Sequence, residues 1–597
     1  MSTPDNTNRI WTSALSRRSF LRTAGVSAAL LTTGSLLAAC GEDEEDEPTS
    51  EPDGGSQPAE PTATEAGEAE EDEAEPTEAE ADEDVASEDE EEAPTATEQP
   101  DDEEEPAGDR PVLIVGVQGL PESLDPYLHL SNVGTRVTYS IFDHLLEREF
   151  RGGDPPGTGS GILPMVASGW ERIDDLTLEM TLRDDVVFHN GDPLTAEDIK
   201  FTFDRMLVEP TEEMVEPAAY IDTITEVEIV DDYTIRFITA EPDPLLEIRL
   251  TSWATWILPK SYFEEVGPDE FALNPVGTGP YSFSELRPDE ILVLNSHDDY
   301  FGGTPPASGV EFRVIPETAG RVAALVSGEV HIITNIAPDQ VASLEGNSDI
   351  EVRSVPLANC HVLRYNTRHP RMQDKLLRQA LNLAIDRELL VEALWGGRAE
   401  LMRGHQFTEY GDMYNPDRPF SPYDPDRARE LLEQSSYSGD EIEFRTQPAY
   451  YTLGAEAAQA IVQMWQEIGV NASVTVLDNV YSDGVENIMV TNWSNSSFTA
   501  DPDGAFWLRW GEPTGTQRDF WTPENPRFNE LGEAARKTLD KEFRYDAYQE
   551  MIDIWEEEAP GTELYIPVEN YGVRTDVDWL PYSFYYMDLR PGNLSFE

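Results

Sequence analysis

The residues that could carry out covalent catalysis are few and poorly placed for it. No Gly-x-Ser-x-Gly, His-Glu-x-x-His or phosphate-loop motif occurs in the chain. Cys360 is followed by His361, the residue types of a thiol hydrolase, but the pair lies in the largely apolar, strand-like run 357–363. We therefore expect Cys360 to be a buried, unreactive thiol. The eight histidines are scattered, at His129, His144, His189, His297, His331, His361, His369 and His405.

An extracytoplasmic hydrolase nevertheless remains open as a function of another class. Clustering of distant histidines in space cannot be read from the sequence, and a carboxylate pair cannot be picked out among the 85 acids of residues 110–597. The two cysteines, Cys40 and Cys360, exclude a disulfide scaffold and a zinc site of four thiolates. We expect no metal site and no cofactor.

Cys40 is the residue whose surroundings suggest a covalent modification. Ser16-Arg17-Arg18-Ser19-Phe20-Leu21-Arg22 precedes a short apolar stretch, Ala24 to Ala39, and resembles a twin-arginine export signal. Leu37-Ala38-Ala39-Cys40-Gly41 resembles the lipobox of prokaryotic lipoproteins. The stretch is shorter than the ~20 residues of a membrane helix. We predict that residues 1–40 are a signal peptide and that Cys40 carries the lipid that anchors the mature chain.

The charge of the chain is strongly acidic and unevenly distributed. The net charge is −79 over 597 residues, and residues 41–109 hold 33 acids and no base. That segment has no aromatic residue, so it cannot bury enough apolar surface to fold and is predicted to be a disordered acidic linker. Residues 110–597 still carry 85 acids against 36 bases. Such a charge disfavours binding to nucleic acid or to anionic membrane surfaces.

The rest of the chain alternates strand and helix patterns. The run 112–117 predicts a central strand, and 281–286 with 291–295 predicts a hairpin. Thr195 and Asp198 form a capping box that starts a helix. A second helix is predicted from Asp374 to Gly396, and a third over residues 456–467 before a strand at 472–477. The pattern indicates an α/β fold with mixed sheets, large enough for two or more domains.

Several motifs together resemble one protein family. They are Leu124-Asp125-Pro126, the run from Leu182 to Ile199 that contains Phe188-His189-Asn190-Gly191-Asp192, Val276-Gly277-Thr278-Gly279-Pro280-Tyr281, Arg378-Gln379-Ala380-Leu381 with Ala384-Ile385-Asp386-Arg387, and Tyr423-Asp424-Pro425 with Ala428-Arg429-Glu430-Leu431-Leu432. The chain resembles the family 5 solute-binding proteins of ABC importers, which include oligopeptide, dipeptide and nickel receptors. The resemblance covers residues 111–597.

The resemblance implies a fold and a set of boundaries. It implies a two-lobed periplasmic-binding-protein-like fold, class II with mixed sheets, and an extra subdomain inserted in the first lobe. Lobe 1 is expected at 111–150, 257–366 and 565–597, the extra subdomain at 151–256, and lobe 2 at 367–564. A ligand that touches both lobes would drive their closure, and no bond would be broken.

The resemblance also implies the ligand-binding residues. The expected contacts are Leu130, Ser131 and Asn132 of lobe 1 and Trp493, Ser494, Asn495, Ser496, Phe498 and Asp501 of lobe 2. Peptide receptors of the family carry an aspartate for the ligand ammonium where this chain has Ser496 or Phe498, depending on the direction of counting. Asp501 or Asp503 could substitute for it. Otherwise the neutral groups fit a sugar or a blocked peptide.

The implied function is a receptor rather than an enzyme. We expect a lipid-anchored, extracytoplasmic and monomeric substrate-binding protein that delivers a small solute, most simply a peptide, to the permease subunits of an ABC importer. The same role for an oligosaccharide, an opine or a nickel complex stays open, because the ligand cannot be read from the sequence.

Overall fold

The computed structural model describes residues 110–128, 131–208, 210–211, 214–448, 451–497, 499–512 and 514–597. The predicted signal peptide, Cys40 and the acidic linker lie outside these residues.

The strands belong to one large sheet, one middle-sized sheet and three smaller ones. In chain order they are β1 (Val112–Val117), β2 (Leu146–Glu149), β3 (Gly161–Pro164), β4 (Ala167–Asp174), β5 (Thr177–Leu182), β6 (Ile224–Asp231), β7 (Thr234–Thr239), β8 (Tyr281–Arg287), β9 (Ile291–Ser296), β10 (Gly309–Val314), β11 (Ile332–Ile333), β12 (Ile350–Pro356), β13 (Asn359–Tyr365), β14 (Ile442–Thr446), β15 (Ala472–Val476), β16 (Val490–Ser496), β17 (Gly561–Tyr565), β18 (Val568–Arg574), β19 (Val577–Trp579) and β20 (Leu594–Phe596).

Helices cover the faces of these sheets. They are α1 (Asn132–Ile141), α2 (Ala196–Leu207), α3 (Val215–Ala218), α4 (Leu246–Arg249), α5 (Lys260–Val266), α6 (Pro268–Leu273), α7 (Thr318–Ser327), α8 (Pro338–Leu344), α9 (Lys375–Leu383), α10 (Arg387–Trp395), α11 (Pro425–Gln434), α12 (Gly454–Glu467), α13 (Leu508–Trp510), α14 (Gly515–Asp519), α15 (Arg527–Arg536) and α16 (Lys541–Glu558). A π-helical turn, Asp503–Trp507, precedes α13.

The large sheet has the strand order β12-β18-β11-β1-β10-β9-β8. The strand predicted over 112–117 is confirmed as central, because β1 pairs in parallel with both β10 and β11. The predicted hairpin is confirmed as β8 and β9, which pair antiparallel. The order mixes parallel and antiparallel neighbours, as the mixed-sheet prediction requires.

The middle-sized sheet has the order β15-β14-β16-β13-β17 and forms the second lobe. The predicted boundary placed residues up to 366 in lobe 1, but β13 belongs to this second sheet. The chain therefore leaves the large sheet after Pro356 and returns to it at Val568. The two connecting segments run side by side, since the Leu357 N–H donates to the Pro567 carbonyl at 2.9 Å. Two adjacent connections of this kind form a hinge.

An antiparallel four-stranded sheet, β4-β5-β7-β6, lies between β1 and the rest of the large sheet in the sequence. It falls within the predicted extra subdomain. Its covering helix α2 starts with the predicted capping box, in which the Thr195 backbone N–H donates to the Asp198 carboxylate at 2.9 Å.

The helix predicted from Asp374 to Gly396 is two helices. Its apolar face packs in the core as expected, but α9 ends at Leu383 and α10 begins at Arg387. The break has a local cause, because the Asp386 side chain accepts from the Leu389 N–H at 2.9 Å and caps a new helix.

Two of the motifs that carried the family resemblance hold each other in place. The His189 ring accepts from the Gly277 N–H at 3.2 Å and contacts the Gly279 carbonyl at 3.0 Å. A Cβ atom on Gly277 would lie 2.1 Å from the Ile141 carbonyl oxygen, so only glycine fits this approach. These motifs therefore build the first lobe rather than a binding surface.

Candidate functional site

Strand β16 carries four of the nine predicted ligand contacts, and one of its edges is open. It pairs with β13 along its whole length, from Tyr365 opposite Val490 to Asn359 opposite Ser496. On the other side β14 pairs only with Val490 and Thr491. Among the described residues, the rest of this edge has no partner strand. An open edge with unpaired backbone groups can accept an extended peptide as an added strand.

The alternation of β16 separates the predicted contacts onto two faces of the sheet. Trp493 and Asn495 point toward the core under α15 and α16, whereas Ser494 and Ser496 lie on the opposite face. The structure therefore places these side chains on both faces of the sheet rather than on one.

Trp493 is the predicted contact that borders open space. Its partly buried ring lies 4.3 Å below the Arg364 guanidinium and meets Trp510 edge-on at a centroid distance of 5.7 Å. A cavity of about 300 Å³ is lined by Trp493 together with Arg364, Tyr481, Leu508, Thr516 and Phe520. The ring thus joins the open edge of β16 to this cavity.

Asn495 is fully buried and committed to internal contacts. Its Oδ1 accepts from the Trp510 indole at 2.8 Å and lies 2.7 Å from Nε2 of His405. In this arrangement Oδ1 of Asn495 positions the neighbouring aromatic rings, while its Nδ2 is buried without a hydrogen-bond partner among the described residues.

Ser496 ends β16 beside the hinge. Its hydroxyl accepts from the Asn359 amide at 3.1 Å. The next residue, Ser497, donates its N–H to the Ala358 carbonyl at 2.7 Å, and Ala358 donates to Ser583 of lobe 1 at 2.7 Å. Ser496, one of the two positions at which the resemblance implies an aspartate in peptide receptors, thus belongs to a neutral hydroxyl and amide pair close to both lobes.

Asp501, the predicted substitute for that aspartate, is already paired. Both of its carboxylate oxygens accept from Arg544, at 2.8 and 2.9 Å, and only 3 % of the residue is exposed. This buried pair stabilises the loop after β16 and offers a ligand ammonium no free carboxylate.

The predicted contacts of lobe 1 are only partly described. Leu130 lies outside the described residues, as does Phe498, a predicted contact of lobe 2. Ser131 and Asn132 are exposed, and the Ser131 hydroxyl caps α1 by accepting from the Gly134 N–H at 3.1 Å. The hydrogen bonds of Ser131 and Asn132 within the described part of the chain stay inside α1.

Cys360 is buried, as predicted. Its thiol is fully buried and lies 3.8 Å from Nε2 of His405. Burial raises the pKa of Cys360 well above its usual value and lowers the pKa of His405. His361 lies on the other face of the sheet, where burial lowers its pKa to about 4. A neutral, inaccessible thiol cannot serve as the nucleophile of a hydrolase.

Two further observations bear on the alternatives. The described residues contain no group of three or more His, Cys, Asp or Glu side chains arranged to hold a metal ion. In the same part of the chain, every helix is too short or too polar to cross a bilayer.

Charged contacts that the sequence does not predict join the two lobes. Arg249 of the extra subdomain pairs with Asp503 of lobe 2 at 3.1 Å, and both side chains are fully buried. Arg148 of lobe 1 pairs with Glu409 of lobe 2 at 2.6 Å. Their partners lie hundreds of residues apart in the sequence, so local patterns give no signal for them. Arg364 can be noticed in the sequence, because it is a charged residue within a largely apolar strand.

Comparisons with known proteins agree with this architecture. Residues 161–517 match the model of the bacterial extracellular solute-binding proteins, family 5. The chain is 26 % identical over 485 residues to the dipeptide-binding protein of Escherichia coli K12, covering 75 % of this chain and 88 % of that protein. It is 26 % identical over 472 residues to the glutathione-binding protein GsiB of Salmonella typhimurium LT2, covering 76 % and 88 %.

A solved structure gives the same result for the fold. The periplasmic binding protein DppA from Helicobacter pylori, in complex with the peptide STSA, superposes with a TM-score of 0.69 at 24 % identity, over 81 % of this chain and 98 % of that one. The fold is the two-lobed α/β fold of periplasmic binding proteins, as predicted. The chain belongs to the family 5 extracellular solute-binding proteins of bacteria.

Proposed function

We propose that the protein is the substrate-binding component of an ABC importer and that it captures a small peptide between its lobes. The observation that carries this proposal is the open edge of β16 beside Trp493. A peptide added at this edge gains backbone hydrogen bonds that do not depend on its sequence, while Trp493 offers an aromatic face. Relatives named for dipeptides and glutathione support a peptide as ligand.

Closure of the lobes on the ligand distinguishes the loaded receptor from the empty one. A ligand that contacts both lobes binds the closed arrangement better than the open one, so its differential affinity shifts the population toward closure. The hinge at Leu357 and Pro567 allows this movement with little change inside either sheet. The permease subunits then receive the peptide from the closed form.

The anchoring of the receptor belongs to the same proposal. Export by the twin-arginine route and lipidation at Cys40 would place the body outside the cytoplasmic membrane as a monomer. Residues 41–109 would then connect Cys40 to the body of the receptor. The body can then reach the permease from a fixed point on the membrane.

A thermal-shift panel tests the ligand class. The full chain is heated with di- to pentapeptides, oligosaccharides, opines and nickel complexes. We expect the melting temperature to rise with peptides, because a ligand that binds only the folded state stabilises it by RT ln(1 + [L]/Kd). Trp493→Ala should reduce that shift. A shift with another class alone, or turnover of a chromogenic ester, glycoside or peptide, would replace the proposal.

A further inference from the structure

Arg364 is an exception among the buried arginines of the described residues. Most of the others pair with carboxylates: Arg136, Arg148, Arg249, Arg418, Arg445, Arg544 and Arg590. Three more donate to backbone carbonyls instead: Arg321, Arg378 and Arg387. Arg364 has neither kind of partner, although only 6 % of it is exposed.

The contacts of Arg364 leave donors unused. One Nη donates to the Tyr481 hydroxyl at 2.6 Å, and the other makes a long contact of 3.5 Å with Thr516. Nε is buried without a hydrogen-bond partner. The faces of the guanidinium lie 4.3 Å from the Trp493 ring and 3.7 Å from the Phe520 ring. Two aromatic faces hold the cation in place but do not satisfy its in-plane N–H groups.

No carboxylate of the described residues lies within ion-pair distance of Arg364. Asp519 lines the same cavity, but both of its oxygens accept from Arg518, at 2.9 and 2.7 Å. Burial without a counter-ion lowers the pKa of Arg364. A buried guanidinium that lacks an anion is costly in the empty protein. Such a cost is reasonable where a ligand supplies the anion.

We infer that Arg364 is the subsite for a carboxylate of the ligand. The guanidinium borders the cavity of about 300 Å³ and touches Trp493 on the open edge of β16, so a ligand at that edge can reach it. The inference rests on the proposed function. The receptor would hold its ligand by an anionic group and would meet any amino end with neutral partners.

Matched peptides test this inference in the full chain by calorimetry. The probes are trialanine acid, trialanine amide, and Ala-Glu-Ala amide, which separates a terminal carboxylate from a side-chain one. We expect at least one of the two carboxylate-bearing peptides to bind about 30-fold or more tighter than trialanine amide. Arg364→Gln should remove that preference without lowering the melting temperature of the ligand-free protein.

Arg387→Gln is the matched control. Arg387 is equally buried, at 6 % exposure, but it donates to the Glu563 carbonyl at 2.8 Å and to the Thr562 hydroxyl at 2.6 Å. Its loss should lower the melting temperature and leave the carboxylate preference intact. If Arg364→Gln behaves in the same way, Arg364 is structural and the inference is overturned.

The remaining outcomes separate the inference from the proposed function. Equal affinity of all three peptides would overturn the carboxylate subsite and leave the peptide receptor standing. Binding of a dicarboxylic acid but of no peptide, lost in Arg364→Gln, would keep the subsite and replace the peptide as ligand. Binding of a neutral sugar alone would overturn both.

Discussion

Ser496 is a neutral residue at the end of β16, and under the proposed function we expect it to limit which end of a ligand can lie beside it. Its hydroxyl and the Asn359 amide are neutral, whereas the resemblance implies an aspartate in peptide receptors at the position of Ser496 or of Phe498. A free ammonium group placed there would lose water without gaining a counter-ion, which is unfavourable. An amide or a blocked amino end needs only neutral partners.

Ser496→Asp should restore a preference for free amino ends. We expect peptides with a free amino terminus to bind about fivefold tighter to the variant, since a partly exposed ion pair contributes up to ~1 kcal/mol, while N-acetyl peptides should gain nothing. Calorimetry with the two peptide forms measures the ratio. Ser343→Asp, at an exposed site in α8, is the control and should leave the ratio unchanged. An unchanged ratio in Ser496→Asp would mean that the amino end lies elsewhere.

At the scale of an element, Asp386 separates two helices that the hydrophobic pattern joins. Asp386→Ala removes the side-chain acceptor for the Leu389 N–H and should lower the free energy of unfolding by about 1 kcal/mol. Urea unfolding measures the change. Glu388→Ala, at an exposed site in the same turn, should stay within about 0.5 kcal/mol of the parent protein. Equal losses in both variants would show that the cap is not what starts α10.

Elements with a strong local signal could be predicted from the sequence, and their pairing could not. The apolar run at β1 and the cap of α2 each depend on residues that are close together in the sequence. The open edge of β16 depends on where β14 stops pairing, and β13 reaches β16 across more than 100 residues of chain. Trp493 was therefore predicted only through the family resemblance. The exceptional position of Arg364 becomes clear only when its partners are compared with those of the other buried arginines.

At the scale of the whole molecule, Asp503 ties the extra subdomain to lobe 2. It pairs with Arg249 of the subdomain at 3.1 Å and with Arg536 of its own lobe at 2.8 Å. Burial would raise the pKa of Asp503, but the two guanidinium groups outweigh burial and lower it. The carboxylate is therefore charged at neutral pH and holds the two parts together.

Asp503→Asn should loosen this contact, because two buried guanidinium groups lose a charged partner. We expect a loss of about 3 kcal/mol in unfolding free energy and a larger radius of gyration in X-ray scattering of the ligand-free protein. Asp222→Asn removes the other partner of Arg536, at 3.1 Å and half exposed, and should cost less than about 1 kcal/mol. An Asp503→Asn protein with the parent's scattering curve would show that the pair does not hold the lobes together.

The paired connections at Leu357 and Pro567 have a consequence for how such receptors diversify. Because the strands that leave and re-enter the first sheet are hydrogen-bonded neighbours at 2.9 Å, residues 358–566 form a cassette whose two ends exit together. Insertion points of this kind tolerate exchange of the inserted unit. A chimera that receives residues 358–566 from another receptor should take the ligand preference of that receptor. It should keep the first lobe of the recipient.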